Sequence, residues 1–196
     1  MREVVVFSGS AHEPLAHRIC DELGVELSQT ALSRFSNDCL QAQLLANCRQ
    51  RDVYIVQPLV PPTQDALMEL LLMVDAARGA SAAMVTAVIP HFAYARSDKK
   101  DASRISLGGR LVADLIATAG VDRVITMNLH APQVHGFFSM PVDHLTSLGV
   151  LADPTPTEKE VLGAFRYTQN ETVLHRDGSL MPRARLARSS WNYLVG

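Results

Sequence analysis

Residues 84–116 read MVTAVIPHFAYARSDKKDASRISLGGRLVADLI. The opening MVTAVIP has no polar alternation and is rich in β-branched residues, the composition of a strand buried on both faces. Two aromatics, Phe92 and Tyr94, follow it. Arg96, Asp98, Lys99, Lys100, Asp101 and Arg104 then crowd into nine positions. Leu107, Leu111, Leu115 and Ile116 next recur at helical spacing, which predicts a helix over 105–119. Strand, charged loop and helix in this order form the unit from which parallel α/β sheets are built.

The same unit repeats on either side. VVVFS at 4–8 is a β-branched run closed by Gly9; Pro14 then sits where a first helical turn tolerates it. Leu15, Ile19 and Leu23 mark the buried face of that helix, and Gly24 marks its stop. VYIVQ at 53–57 is a second strand, followed by a helix from about Gln64 to Gly79 that carries Leu67, Leu70, Leu71 and Val74. RVITMNL at 123–129 is a further strand. The predicted fold class is therefore α/β: an open, mostly parallel sheet with helices on both faces and right-handed crossovers.

Composition narrows the class. With 196 residues and 47% hydrophobic content, the chain can bury a full core in one domain plus an appendage. A net charge of −2 gives no global attraction to nucleic acid or to an anionic membrane, so neither is an expected partner and any anion binding must be local. Cys20, Cys39 and Cys48 form no CxxC pair, which argues against a disulfide framework or a zinc site and predicts reduced thiols in a cytoplasmic protein. The longest uncharged apolar run, LLLMV at 70–74, is far short of the roughly 18 residues that cross a bilayer.

In open α/β sheets ligands collect beyond the carboxyl ends of the strands, where loops converge on helix N-termini. Arg96, Lys99, Lys100 and Arg104 stand at such an end, diluted by Asp98 and Asp101. Phe92 reads as core; Tyr94 reads as core or as a surface on which a base stacks. His130 follows the next strand and would face the same crevice, where an imidazole can ligate a metal or bond a phosphate. His135 and His144 read as structural. GSAHE at 9–13 is too short for a phosphate loop, and no GxGxxG, GxxxxGK[ST], HExxH or GxSxG pattern occurs. The residues alone leave two readings of the charged stretch: a hydrophilic connector, or a polyphosphate site that uses a hydrated cation.

Seven segments add a resemblance: FSGSAHEPLA, RFSND, DVYIVQ, DALMELLLMVDAARGASA, VTAVIPHFAYARSDKKD, SRISLGGRLVADLI and ITMNLHAPQVHGFFSMPVDHL. In order and spacing the chain resembles, over residues 3 to about 147, the N-terminal domain of phosphoribosyl pyrophosphate synthetase, also called ribose-phosphate diphosphokinase. The YAR-x-DKKD and LHA-x-Q-x-x-GFF stretches are specific to that family. The resemblance implies a phosphoribosyltransferase-like fold and transfer of the terminal diphosphate of Mg-ATP to the C1 hydroxyl of ribose 5-phosphate. It also implies a homo-oligomeric ring with active sites at domain and subunit boundaries.

Position by position, the resemblance assigns Phe35 and Asn37 to adenine contact from a neighbouring subunit, and Arg96, Ser97, Asp98, Lys99 and Lys100 to the ATP loop. His130 is assigned to catalysis beside Mg2+, Asn128 and Asp143 to the cation, and Ser103 and Arg104 to a phosphate-responsive effector surface. Four positions depart from the family pattern: Cys39 stands where an acid is usual, Ser97 replaces glutamine, and Asn128 and Ser139 each replace aspartate.

The boundaries read as a domain over 1–148, a Pro- and Thr-rich linker over 149–163, and a short basic tail over 164–196 that resembles an internal fragment of flavin-dependent amine-oxidase-like proteins. The ribose 5-phosphate loop of the family's second half is not found. Two functions follow as expectations. One is a ribose-phosphate diphosphokinase chain holding only the ATP-binding half, with the missing half-site supplied by a partner. The other is a non-catalytic regulatory or associated subunit that joins a full-length synthetase.

Overall fold

Val4–Ser8 forms strand β1, as its β-branched run predicts, and Glu13–Leu23 forms helix α1. His12 caps α1: its Nδ1 accepts the Leu15 N–H at 3.1 Å, while Pro14 occupies the first turn. Gly24, at φ 65° in the left-handed region, ends it. Then come β2 (Leu27–Ser28), β3 (Thr30–Arg34), β4 (Leu40–Leu44), β5 (Asp52–Val56), α2 (Thr63–Gly79), β6 (Met84–Ile89), α3 (Gly108–Ala119) and β7 (Arg123–Met127). A 3-10 helix over Pro132–Phe137 and strand β8 (Val142–Leu145) complete the unit. The structure, a computed structural model, describes residues 2–127, 129–146 and 156. The linker over 149–163 and the tail over 164–196 lie, apart from residue 156, outside the described residues, as does Asn128.

Six strands form one parallel sheet in the order β2-β1-β5-β6-β7-β8, and β3 pairs antiparallel with β4 as a separate hairpin. Alternation along the strands feeds two cores. Val5 and Phe7 of β1 and Val53 and Ile55 of β5 point into the larger one, under Leu70, Met73, Val74 and Ala77 of α2 and Val112, Ala113 and Ile116 of α3. Val6 and Val56 point the opposite way, against Ala16 and Cys20 of α1. Helices thus cover both faces, as the uninterrupted apolar strands require. Leu70 and Met73 are fully buried; truncating either to alanine costs on the order of 2–5 kcal/mol.

The structure departs from the sequence reading at element ends. The third helix begins at Gly108 rather than at Ile105: the turn at Arg104, with a left-handed φ of 60°, and a non-helical Leu107 with φ −99° and ψ 77° keep 105–107 outside it. The strand read over 53–57 spans Asp52–Val56; Gln57 instead turns its amide into the buried space between α1 and α2. The strand read to residue 129 ends at Met127. β2, the β3–β4 hairpin, the 3-10 helix and β8 carry no uninterrupted apolar run and were not legible as elements.

Candidate functional site

β6 and β7 are neighbours in the sheet, with Ile89 opposite Thr126. Beyond their carboxyl ends lies a pocket of about 310 Å3, lined by His91, residues 92–96 and His130. The sequence-predicted pair Arg96 and His130 is therefore brought to one pocket. Phe92 is buried and meets Phe138 edge-on, with ring centroids 5.1 Å apart, whereas Tyr94 is exposed. His91 lines the pocket as a solvent-accessible residue, and partial desolvation there lowers its imidazole pKa from the ordinary histidine value.

The loop that carries the charges is held from three sides. Tyr94 adopts φ 62°, a strained conformation for a non-glycine residue that costs on the order of 1–3 kcal/mol, and its hydroxyl accepts from Gln64 Nε2 of α2 at 3.4 Å. The Ser97 N–H donates to the Tyr94 carbonyl at 2.9 Å. Ser97 Oγ accepts the Gly108 N–H at 2.9 Å, its carbonyl accepts the Gly109 N–H at 3.0 Å, and its hydroxyl donates to the Ser106 carbonyl at 3.3 Å. Ser97 thus caps α3 from across the loop. A Cβ on Gly109 would lie 3.0 Å from the Tyr94 carbonyl, a tight contact that glycine avoids at this close approach. Asp98 accepts from Gln133 Nε2 of the 3-10 helix at 2.8 Å.

These tethers sort the loop by charge. Ser97 and Asp98 are committed to the protein, while Arg96, Lys99, Lys100 and Arg104 are exposed and, among the described residues, make no ion pair. Four unpaired cations on one short connection form a local positive field in a protein of net charge −2. The β1–α1 loop offers no equivalent. Its Ser10 N–H and hydroxyl donate to the buried carboxylate of Glu69 at 2.8–3.0 Å, and its Ala11 N–H donates to Gln57 Oε1 at 3.3 Å. A Cβ at Gly9 would sit 2.3 Å from Gln57 Oε1 and would push this buried amide off its hydrogen bonds to Ala11, Ala66 and Glu69.

Phe35 and Asn37 lie elsewhere, at the turn of the β3–β4 hairpin, and do not line this pocket. Phe35 is exposed; Asn37 Oδ1 accepts the Cys39 N–H at 3.2 Å, which shapes the turn. Arg34 bridges Asp38 and, at 2.6 Å, Asp65 of α2. Asp65 adjoins Gln64, the partner of Tyr94, so the hairpin and the cationic loop are braced on one helical turn.

The comparisons with known proteins bear on these features together. The model of the N-terminal domain of ribose phosphate pyrophosphokinase matches residues 4–120, more than half of the chain. The chain belongs to the ribose-phosphate pyrophosphokinase family. A putative ribose-phosphate pyrophosphokinase of Streptomyces coelicolor is 67% identical over 152 residues, covering 78% of this chain and 48% of that protein. A ribose-phosphate pyrophosphokinase of Deinococcus radiodurans is 57% identical over 149 residues, covering 76% and 47%. The crystal structure of phosphoribosylpyrophosphate synthetase from Mycobacterium smegmatis superposes with a TM-score of 0.75 at 37% identity, covering 76% of this chain and 50% of that one. The chain spans about half the length of the curated relatives it matches.

Within this pyrophosphokinase framework the remaining predicted residues are dispersed. Asp143 on β8 is taken up by Arg123, whose Nη1 reaches both carboxylate oxygens at 3.0 and 2.8 Å. Ser103 and Arg104 lie on the exposed turn before α3. His144 Nε2 accepts the Leu129 N–H at 3.0 Å and His135 Nε2 lies 3.1 Å from the Val142 carbonyl, both structural roles. Among the described residues no three His, Cys, Asp or Glu side chains gather as a metal cage. His91, Gln64 and Gln133 complete the site without having been singled out from sequence; the position of His91 directly after the strand end at Pro90 was the available signal.

Proposed function

We propose that this chain is the nucleotide-binding half of a ribose-phosphate pyrophosphokinase, which takes ATP as its magnesium complex and delivers the terminal diphosphate to the C1 hydroxyl of ribose 5-phosphate, releasing AMP. The observation that carries this reading is the set of cations without ion pairs among the described residues, Arg96 in the pocket beyond β6 and β7 and Lys99 and Lys100 further along the same loop, with the loop carboxylate Asp98 held by Gln133. Phosphoryl-type transfer depends on positioning and on charge placed where negative charge develops. Arg96 offers a planar fork of donors, Lys99 and Lys100 offer point charges, and the bonds of Gln64 to Tyr94, Ser97 to Gly108 and Gln133 to Asp98 tether the loop that carries them.

The donor set fits Mg2+ that arrives on the phosphates better than a resident ion. Mg2+ prefers oxygen ligands and usually keeps several waters beside substrate phosphates. His130 would stand beside it, and Asp143 would join only by leaving Arg123. The ion would offset the charge of the diphosphate; the chain's own residues bind and orient it. Phe35 and Asn37, presented on the exposed hairpin turn, suit contact with the base bound to another copy in a homo-oligomer. A cytoplasmic site of action belongs to the same proposal; no helix among the described residues is long and apolar enough to cross a membrane.

The engagement of Asp143 by Arg123 favours a second reading, a regulatory or associated subunit that binds nucleotide within a hetero-oligomer with a full-length synthetase and does not turn it over. Measuring AMP release from Mg-ATP and ribose 5-phosphate, with the chain alone and mixed with a full-length relative, separates the two. Activity of the mixture above that of the relative alone supports a contributed half-site, and unchanged or altered regulation without added turnover supports the second. Absence of Mg-ATP binding at millimolar nucleotide sinks both.

A further inference from the structure

His91 is not among the residues that the family resemblance assigns to ATP, yet it occupies the pocket where they converge. It stands two positions beyond Ile89, the end of β6, and its carbonyl accepts the Leu59 N–H at 2.9 Å, which pins the backbone there. Neighbouring parallel strands run about 4.8 Å apart. Chain segments leaving β6 and β7 at Ile89 and Met127 therefore emerge side by side, bringing His91 and His130 to one cavity with Arg96. Among the described residues no carboxylate lines that cavity. Its polar side chains, two imidazoles, a guanidinium and a phenol, can all donate, and a pocket of donors without an acid selects an anion.

We propose that His91 is a further phosphate-binding residue of this chain, donating an imidazole N–H to a terminal phosphate oxygen of a nucleoside triphosphate beside Arg96 and His130. The inference rests on the nucleotide reading above and adds a residue to it. Partial desolvation lowers the His91 pKa, which favours the neutral ring, a hydrogen-bond donor rather than a charge. Its effect on affinity is consequently insensitive to salt, whereas that of Arg96 is not.

Calorimetric titration of Mg-ATP and of AMP into the 196-residue chain tests this. His91→Ala is expected to weaken Mg-ATP binding about tenfold, to leave AMP binding unchanged because AMP lacks the terminal phosphates, and to leave the salt dependence of the wild type intact. His91→Gln, which keeps an N–H donor at similar reach, is expected to recover most of the loss. Should His91→Ala lose its cooperative thermal transition, the contrast between His91→Gln and His91→Phe reads the same contact. Wild-type affinity in His91→Ala while Arg96→Ala is weakened, or equal losses for ATP and AMP, would overturn the role of His91 and leave the nucleotide reading standing. Absent wild-type binding at millimolar Mg-ATP would overturn both.

Discussion

Arg96 and Lys99 are exposed side chains without ion-pair partners among the described residues, so their removal should barely change stability. A charge-assisted contact to phosphate, by contrast, contributes on the order of 1.5–3 kcal/mol. Arg96→Ala and Lys99→Ala are each expected to weaken Mg-ATP binding about ten- to a hundredfold, with an unchanged thermal midpoint, and binding should fall with added salt. Equal affinities by calorimetry would return the loop to the class of a solvated connector. The cysteines give an independent check of the packing. Burial raises the thiol pKa of Cys20 and Cys48, which keeps them protonated and unreactive, whereas Cys39 is exposed on the hairpin. An aromatic disulfide reagent near pH 8 is expected to consume one thiol rapidly and all three only after denaturation; three fast thiols would contradict the two-core arrangement.

At the scale of elements, Ser97 shows why a family assignment and a structural role need separate arguments. The resemblance places it in the ATP loop, yet its hydroxyl accepts from Gly108 and donates to Ser106, joining the loop to the start of α3. Ser97→Ala leaves the Gly108 N–H without that partner and is expected to cost about 1 kcal/mol, read as a lower thermal midpoint with nucleotide affinity falling less than in Arg96→Ala. No change in unfolding would refute the cap. What was legible beforehand follows the same physics. The four inner strands β1, β5, β6 and β7 and the helices between them announce themselves because burial on both faces forces continuous apolar runs. The hairpin does not, since Thr30–Arg34 and Leu40–Leu44 alternate half-buried and exposed residues against α2 and present no run. The loop cations could be placed from sequence because they follow a strand end directly. The tethers Gln64–Tyr94 and Gln133–Asp98 could not, because residues 30 and 35 positions apart meet only through the fold.

Between 76% and 78% of the chain aligns with 47–50% of each relative, and that proportion sets an expectation for its chemistry. Transfer of a diphosphate between two bound substrates draws most of its acceleration from holding the attacking hydroxyl, the phosphates and the compensating charges in line, a contribution that reaches roughly 7–11 kcal/mol when both reactants are oriented. On the proposed reading the described residues supply cations for one reactant, at Arg96, Lys99 and Lys100, while Asp143, which the resemblance assigns to the cation, is paired with Arg123. On that reading these cations position the nucleotide, and contacts to ribose 5-phosphate fall to the half of the relatives that the chain does not match. The isolated chain is therefore expected to release AMP from ATP and ribose 5-phosphate at least about a thousandfold more slowly than a full-length relative assayed alongside it. The loss should fall in kcat while Mg-ATP affinity stays within the range set by the cationic loop, because that loop is built from residues of this chain alone. Arg123→Ala, which frees the Asp143 carboxylate, should then raise Mg2+-dependent nucleotide affinity without restoring turnover. Turnover near that of the relative would show that the described half holds the acceptor as well, and the division of labour argued here would fail.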